Sequence, residues 1–215
     1  MKTNYDKILE ETINELKGRK PSLLLHSCCA PCSTAVITRL KDYFDVTIFY
    51  YNPNIEPLEE YLKRKEEQKR IVSKFGIKFL DCDYENEIFK SISKGLEDLP
   101  EGGYRCHKCY ELRLTKTALT AKENNFEYFG TTLTVSPYKN SQVLNAIGKD
   151  IEELTKIKFL YSDFKKKEGY KLSIELSKKY NLYRQNYCGC IYSKKQSKQK
   201  LKGTQCQGLN KKERV

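Results

Sequence analysis

Short apolar runs alternate with longer amphipathic stretches along this chain of 215 residues, and this alternation limits the possible folds more than any other feature. The runs are rich in leucine, β-branched or aromatic residues and span 22–26, 45–52, 77–83, 126–135 and 157–163. Apolar residues at helical spacing indicate helices over 4–17, 31–43, 58–76, 84–94, 106–125, 136–154 and 169–179. Strands separated by helices favour parallel pairing. We therefore predict an α/β protein with a Rossmann-like open, mostly parallel sheet and helices on both faces.

Three residues suggest where predicted helices begin or end. Pro31 suits the first turn of a helix, where its missing N–H is not needed. Gly76 is a plausible C-terminal cap, because glycine adopts the left-handed conformation that ends many helices. Ser136 is a candidate N-cap for the helix that follows the fourth strand.

Segments with reactive or polar side chains follow several predicted strands. The stretch HSCCAPCS (26–33) follows the first strand, Cys82 lies at the end of the third, and TTLTVSPYK (131–139) spans the end of the fourth. Open α/β sheets place their sites at the carboxyl ends of the strands. We therefore expect these segments to converge on one edge of the sheet.

The charge of the chain is positive and unevenly distributed. The formal net charge is +12, and residues 191–215 carry about +7 of it, with eight Lys or Arg and one Glu. This excess fits a nucleic-acid partner, and it fits a solvated tail equally well. We predict one α/β catalytic domain over 1–193 and a basic, flexible tail over 194–215. No apolar run is long enough for a bilayer and no export signal is present, so we expect a cytoplasmic protein without a membrane partner.

Nine cysteines are unusual for a chain expected in a reducing compartment. Clustered thiols in such proteins indicate metal or redox chemistry, and the alternative is a set of buried, reduced thiols. The cysteines fall into three groups and two single residues: Cys28, Cys29 and Cys32; Cys106 and Cys109; Cys188 and Cys190; then Cys82 and Cys206.

Two of these groups can together supply four thiolates. The stretch CCAPC (28–32) and the Cys-x-x-Cys pair in RCHKC (105–109) offer a ligand set that zinc and iron–sulfur centres both accept. Adjacent cysteines favour a cluster, because neighbouring side chains diverge and can reach different irons. His26 and His107 each adjoin a cysteine group. His26 can orient a ligand, acidify a thiol or be structural.

The third group is a Cys-x-Cys pair within LYRQNYCGCIYS (182–193). Two cysteines so close can form a strained, easily reduced disulfide or bind metal. The flanking Tyr183, Arg184, Tyr187 and Tyr192 can stack on a nucleotide or form an ordinary aromatic cluster. The chain has no Gly-x-Gly-x-x-Gly and no Walker-type loop, so a dinucleotide or P-loop site is unsupported.

Four long motifs resemble those of one family. They are LLLHSCCAPCS, GGYRCHKCYELRL, FGTTLTVSPYKN and DFKKKEGYKLSIELSKKYNLYRQNYCGCIYS. In this order, and over about residues 20–193, the sequence resembles the QueH type of epoxyqueuosine reductase. The resemblance implies the last step of queuosine synthesis in tRNA, in which an epoxide on a cyclopentane ring at the wobble position is reduced to an alkene without cobalamin.

The resemblance also implies cofactors and roles. It implies a [4Fe–4S] cluster held by Cys28, Cys29, Cys106 and Cys109. Cys188 and Cys190 match a redox-active disulfide. A second bound iron is implied as well, and Cys32 with Asp83 or Asp163 is our candidate set of ligands for it. The electron donor is not identified.

A tRNA substrate needs phosphate contacts and base stacking. Lysines near the predicted strand ends, with one arginine and one tyrosine of the Cys-x-Cys region, are the candidates. They are Lys139, Lys165, Lys166, Lys167, Arg184 and Tyr187. The run of three lysines can also be simply an exposed face.

Two other functions are compatible with part of this pattern. A non-catalytic zinc module that binds RNA needs only four thiolates and positive charge, and it leaves Cys188 and Cys190 unexplained. A tRNA thiolation enzyme on a similar α/β fold would need an ATP-binding loop rich in Ser, Gly and Asp after the first strand, where this chain has CCAPC.

Overall fold

The computed structural model describes residues 2–198 and confirms the parallel sheet. Five parallel strands lie in the order β3-β2-β1-β4-β5. The strands are β1 (Ser22–His26), β2 (Asp45–Phe49), β3 (Lys78–Leu80), β4 (Tyr128–Thr131) and β5 (Lys158–Phe159). The chain therefore builds the sheet outward from β1 to β3, returns beside β1 with β4, and continues to β5.

Helices cover both faces of the sheet, as predicted. They are α1 (Tyr5–Glu15), α2 (Ala30–Leu40), α3 (Leu58–Lys74), α4 (Asn86–Ser93), α5 (Tyr104–Glu123), α6 (Ser141–Thr155) and α7 (Gly169–Lys179). A short 3-10 helix (Leu133–Val135) follows β4, and residues 191–198 form a C-terminal helical segment. Helix α2 packs against α3 and α7, whereas α5 packs against α4 and α6. None of the helices described is long and apolar enough to cross a membrane.

The sheet has one apolar core on each of its two faces. Leu23 and Leu25 of β1 point into the core that contains α2, and Leu24 points into the core that contains α5. Successive side chains of a strand alternate between faces, so a strand buried on both sides becomes a continuous apolar run. This explains why β1 contains three consecutive leucines, residues 23–25, without polar interruption.

The end of β4 and the start of α6 differ from the prediction. The predicted strand 126–135 stops at Thr131, because the Thr131 hydroxyl accepts the Leu133 N–H at 3.1 Å and the chain turns into the 3-10 helix. Ser136 does not cap α6. It precedes a proline, which disfavours helical geometry, and Asn140 caps the helix by accepting the Gln142 N–H at 2.9 Å.

The predicted boundary at residue 193 lies inside the C-terminal helical segment, and most of the predicted tail lies outside the described residues. Strand order reverses between β1 and β4, which makes their carboxyl ends the topological switch point where ligands bind in open sheets. The loop that carries Cys28 and Cys29 begins there.

Candidate functional site

Three thiols lie together where β1 leads into α2. Cys29 has an extended backbone and occupies the N-cap position, and Cys32 lies in the first turn beside Pro31. The Sγ atoms of Cys28 and Cys29 are 3.8 Å apart, and those of Cys28, Cys29 and Cys32 all lie within 4.8 Å of one another. The amino end of a helix has free N–H groups and a positive partial charge, so it favours a thiolate here. We call these three residues the β1 thiol group.

The β1 thiol group concentrates negative charge on one sulfur. Hydrogen bonds from Cys29 and Cys32 hold the pKa of Cys28 well below its usual value, and Lys139 and Arg113 act in the same direction. The hydrogen bond to Cys28, together with burial, raises the pKa of Cys29 to about 12. Cys28 is the one thiol of the group whose pKa is lowered, since the pKa of Cys32 is raised as well.

A second group of thiols surrounds a small cavity under α5. Cys106 and Cys109 lie in the first two turns of α5, and Cys188 and Cys190 come from the segment before the C-terminal helical segment. Burial raises the pKa of Cys109 to about 12 and also raises the pKa of Cys106 and Cys190. All eight cysteines of the described chain are free thiols. We call these four residues the α5 thiol group.

The Cys-Gly-Cys segment is held against the loop after β2. Gly189 has a φ of +131°, and a Cβ there would lie 2.8 Å from Cγ1 of Ile55, so glycine is required for this approach. The Gly189 carbonyl accepts the Glu56 N–H at 3.0 Å, and the Cys188 carbonyl accepts a hydrogen bond from Arg64 at 3.1 Å. The position of the two sulfurs is thus set by close backbone packing.

A larger cavity of about 480 Å³ opens at the strand-end edge. Its walls include all three residues of the β1 thiol group, and Cys188 lines both this cavity and the smaller one. The half-buried Cys188 is therefore the link between the two thiol groups. The thiols form the buried side of this cavity, and its other side is exposed. A ligand therefore has room to bind beside the thiols.

Arg113 of α5 lies between the two groups and is 1% exposed. Its Nη1 is 3.9 Å from the Cys109 sulfur, its Nη2 donates to Asn52 at 2.7 Å, and its Nε donates to Nε2 of His26 at 3.2 Å. Burial lowers the pKa of His26 to about 3, so this histidine is neutral. None of the three partners is a carboxylate. Burial opposes the charged form of Arg113, and the surrounding sulfurs of Cys109, Cys28 and Cys188, when ionised, raise its pKa.

The structure does not bring the two candidate aspartates to the β1 thiol group. Asp83 is exposed after β3, and Asp163 forms an ion pair with Lys165 at 2.8 Å and accepts the Ser141 hydroxyl at 3.0 Å. Cys82 points elsewhere, with its sulfur 3.0 Å from the carbonyl of Tyr50. Among the described residues, the β1 thiol group is the one set of three or more acidic, histidine or cysteine side chains that lie close enough together to bind a metal ion.

The candidate tRNA contacts fall into two sets. Lys139, Arg184 and Tyr187 line the larger cavity. Lysines 165–167 lie beyond it, and two of them are engaged: Lys165 pairs with Asp163 and Lys167 with Glu10. Lys166 is exposed. Burial opposes the charged form of Lys139, and the sulfurs of Cys188 and Cys28, when ionised, raise its pKa.

Sequence reasoning missed Arg113, Asn52 and Arg64. Arg113 follows Cys109 by four residues on one helix, and this spacing places both on the same face. That signal was available in the sequence. Asn52 and Arg64 reach the site from the β2 loop and α3, and nothing in their local sequence marks them.

The fold and the site define an α/β protein whose sheet edge carries two thiol groups around a buried guanidinium. The family model for "Epoxyqueuosine reductase QueH" matches residues 23–196. The chain belongs to this family, the QueH epoxyqueuosine reductases.

Similar proteins agree with this assignment. A protein named epoxyqueuosine reductase QueH from Staphylococcus epidermidis is 44% identical over 202 residues, which cover 89% of this chain and 85% of that protein. Proteins of the same name are 43% identical in Streptococcus pyogenes (90% and 79% covered) and 39% identical in Thermotoga maritima (80% and 90% covered).

One solved structure shares the fold. It is the U34-tRNA thiolase NcsA from Methanococcus maripaludis with its [4Fe-4S] cluster, with a TM-score of 0.53 and 12% sequence identity. The match covers 87% of this chain and 67% of that one. At this identity the likeness supports the Rossmann-like fold and nothing further.

Proposed function

We propose that this protein reduces epoxyqueuosine to queuosine in tRNA, as an oxidoreductase of queuosine biosynthesis that does not use cobalamin. Membership of the QueH family supports the reaction. The observation that carries the proposal is local: two thiol groups flank one buried guanidinium that has no carboxylate partner. A buried cation requires a nearby anion, and a metal centre bound by thiolates supplies it.

A [4Fe–4S] cluster fits this donor set. We assign Cys28 and Cys29 from the β1 thiol group, and Cys106 and Cys109 from the α5 thiol group, as its ligands. Iron–sulfur clusters are held by cysteine thiolates, and the cationic Arg113 and Lys139 favour ionised sulfur here. When bound, the cluster would supply electrons one at a time. The protein's own contribution is to hold four sulfurs in a site largely screened from water.

A further iron is a finer part of the proposal. Cys32 is the thiol of the β1 thiol group that the cluster does not use, and it lines the larger cavity. Because Asp83 and Asp163 lie elsewhere, the remaining ligands of such an iron would come from other groups or from solvent. An iron in this position would act as a Lewis acid on the epoxide oxygen.

The Cys188 and Cys190 pair can supply the electrons and protons that the reaction consumes. Conversion of an epoxide to an alkene and water consumes two electrons and two protons, and oxidation of two thiols to a disulfide releases the same number of each. Cys188 faces the cavity where the substrate would lie, and Cys190 is buried behind it. The pair therefore serves as a two-electron and two-proton store, and an external donor must reduce it again.

Substrate binding requires the modified base to leave the anticodon stack, because the thiols lie at the wall of a recess. Lys139 at this wall offers a cation, and Tyr138 beside it is 77% exposed and offers a ring for stacking. Arg184 is held by the Ser173 carbonyl at 3.1 Å and the Ser177 hydroxyl at 3.0 Å, so its orientation is fixed at the rim.

The test is a reconstitution under anaerobic conditions. We would load the protein with iron and sulfide, incubate it with tRNA that contains epoxyqueuosine and a chemical reductant, and measure nucleosides by mass spectrometry. We expect broad absorbance near ~400 nm from the cluster and conversion to queuosine. A sample loaded with zinc is the matched control and should convert nothing. A reconstituted protein that holds the cluster but leaves the epoxide intact would contradict the proposal.

One observation favours a second candidate, a zinc module that binds RNA without catalysis. The Cys28 and Cys29 sulfurs are 3.8 Å apart, and the edge of a tetrahedron with metal–sulfur bonds of about 2.3 Å is also about 3.8 Å. Such a module needs four thiolates, of which the β1 thiol group would supply up to three. A colourless protein that is purified without oxygen and holds one zinc would support it.

A further inference from the structure

The geometry points to Arg113 as a positioning residue that sets the reduction potential of the metal centre by compensating its negative charge. This inference rests on the proposed [4Fe–4S] cluster. Arg113 contributes no ligand atom and does not contact the larger cavity, so its effect acts through the charge it holds beside the thiolates.

The contacts of Arg113 place its charge at the junction of the two ligand pairs. Its side chain is 1% exposed, and its Nη1 is 3.9 Å from the Cys109 sulfur. It follows Cys109 by one helical turn, so α5 fixes this approach. Nε of Arg113 donates to His26, which is the last residue of β1, the strand that leads into Cys28. The guanidinium of Arg113 therefore lies between α5, which carries Cys106 and Cys109, and β1, which leads into Cys28 and Cys29.

Neutral partners orient the guanidinium without cancelling its charge. Nε2 of His26 lies 3.2 Å from Nε of Arg113, and the other partners of this ring are uncharged: the Tyr51 carbonyl, 3.1 Å from Nε2, and the Thr131 hydroxyl, 3.0 Å from Nδ1. Asn52 accepts from Nη2 at 2.7 Å and in turn donates to the Ser27 carbonyl at 2.8 Å. The full positive charge therefore remains available to the thiolates.

The other buried arginines of this region have different partners. Arg64 forms an ion pair with Glu60 at 2.7 Å, which neutralises it. Arg105 donates from Nη1 to three backbone carbonyls, those of Leu96, Glu97 and Leu99. Cys29 also favours the charged form of Arg64, but Glu60 already compensates that charge, whereas Arg113 has no carboxylate partner. This difference is the reason to assign the electrostatic role to Arg113.

The physical consequence concerns electron uptake. A cluster gains one negative charge on reduction, and a fixed cation at close range in a low-dielectric interior stabilises that state. Arg113 should therefore raise the reduction potential, and removal of its charge should lower it. We expect Arg113→Gln to lower the equilibrium constant for one-electron reduction about tenfold or more, which is a shift of about 59 mV or more to lower potential.

The experiment compares two pairs of variants after anaerobic reconstitution. Arg113→Gln removes the charge, and Arg113→Lys keeps it. Asn52→Asp replaces the amide oxygen that lies 2.7 Å from Nη2 with a carboxylate oxygen, so it compensates the charge of Arg113 while the arginine itself is kept. Asn52→Ala removes only the hydrogen bonds of this side chain. Iron and sulfide content is measured first, and then the midpoint potential is measured by redox titration followed by electron paramagnetic resonance.

We expect lower potentials for Arg113→Gln and Asn52→Asp and near-normal potentials for Arg113→Lys and Asn52→Ala. If Arg113→Gln fails to hold the cluster while Arg113→Lys holds it, the result also supports a requirement for charge. Unchanged potentials in loaded Arg113→Gln and Asn52→Asp would overturn the inference. Equal loss of cluster or equal shifts in the lysine and glutamine variants would overturn it too, because shape would then matter and charge would not. A wild-type protein that binds no cluster would refute the proposed cofactor before any variant is made, and the inference with it.

Discussion

The β1 and α5 thiol groups reach the same edge of the sheet in different ways. The three sulfurs of the β1 thiol group come from five consecutive residues, lie within 4.8 Å of one another and share charge through hydrogen bonds. The four sulfurs of the α5 thiol group come from two segments about 80 residues apart in sequence, and burial raises the pKa of Cys106, Cys109 and Cys190. Local sequence is enough to assemble the first group, whereas the second depends on tertiary packing.

This comparison suggests a division of roles. The β1 thiol group is open to the larger cavity and lies at a helix amino end, where the pKa of Cys28 is lowered, and this suits metal binding next to a substrate. The α5 thiol group is enclosed, and in our proposal it is divided: Cys106 and Cys109 complete the ligand set, whereas Cys188 and Cys190 store electrons and protons. Cys188 lines both cavities and connects the two roles.

The largest effect should come from removing one ligand from each group. We expect Cys28→Ser and Cys109→Ser each to lose the cluster and all turnover, because a four-thiolate site tolerates loss of a ligand poorly. Iron and sulfide analysis after reconstitution measures this. Cys82→Ser is the control, since its sulfur lies outside both groups. Normal cluster content in Cys109→Ser would mean that the α5 thiol group contributes no ligand there.

The dithiol can be separated from the cluster. Cys188→Ser should retain the absorbance of the cluster and lose turnover, because one thiol alone cannot complete a two-electron, two-proton oxidation to a disulfide. Nucleoside mass spectrometry on reconstituted protein gives the result, again against Cys82→Ser. Full activity of Cys188→Ser would remove the pair from the mechanism and leave the α5 thiol group with a ligand role only.

The close packing of the Cys-Gly-Cys segment should contribute to the free energy of unfolding. We expect Gly189→Ala to destabilise the protein by about 1–3 kcal/mol, because its φ of +131° and the 2.8 Å approach to Ile55 both oppose a side chain. Gly76→Ala is a control with positive φ and no atom within 4 Å of the added Cβ. Urea unfolding of both variants gives the difference. Equal losses would show that the contact with Ile55 is relaxed without cost.

The smallest effect should be on tRNA affinity. Lys139→Gln removes a cation from the cavity wall, and we expect it to weaken tRNA binding several-fold and to reduce the salt dependence by about one unit of slope. Lys166→Gln, at an exposed position outside that wall, should change less. Binding measured over a series of salt concentrations tests both. A flat salt dependence for the wild type would refute phosphate contacts altogether.

Much of the fold was predictable because it follows from local patterns. The alternation of apolar runs and amphipathic stretches identified the five strands and their parallel arrangement. The end of β4 was wrong because a threonine side chain competes with the sheet for the Leu133 N–H, and the start of α6 was wrong because proline excludes helical geometry at Ser136. Such competition between local hydrogen bonds is weakly marked in a single sequence.

The sequence by itself determined the β1 thiol group and the Cys-x-x-Cys pair, because their members are neighbours in the chain and any helix or loop there keeps them close. Only the tertiary structure decided that Cys188 reaches both cavities, that Asp83 and Asp163 stay away from the thiols, and that Arg113 is buried between them. These outcomes depend on how distant segments pack, and the free energy of that packing is spread over many contacts, so no short motif encodes it.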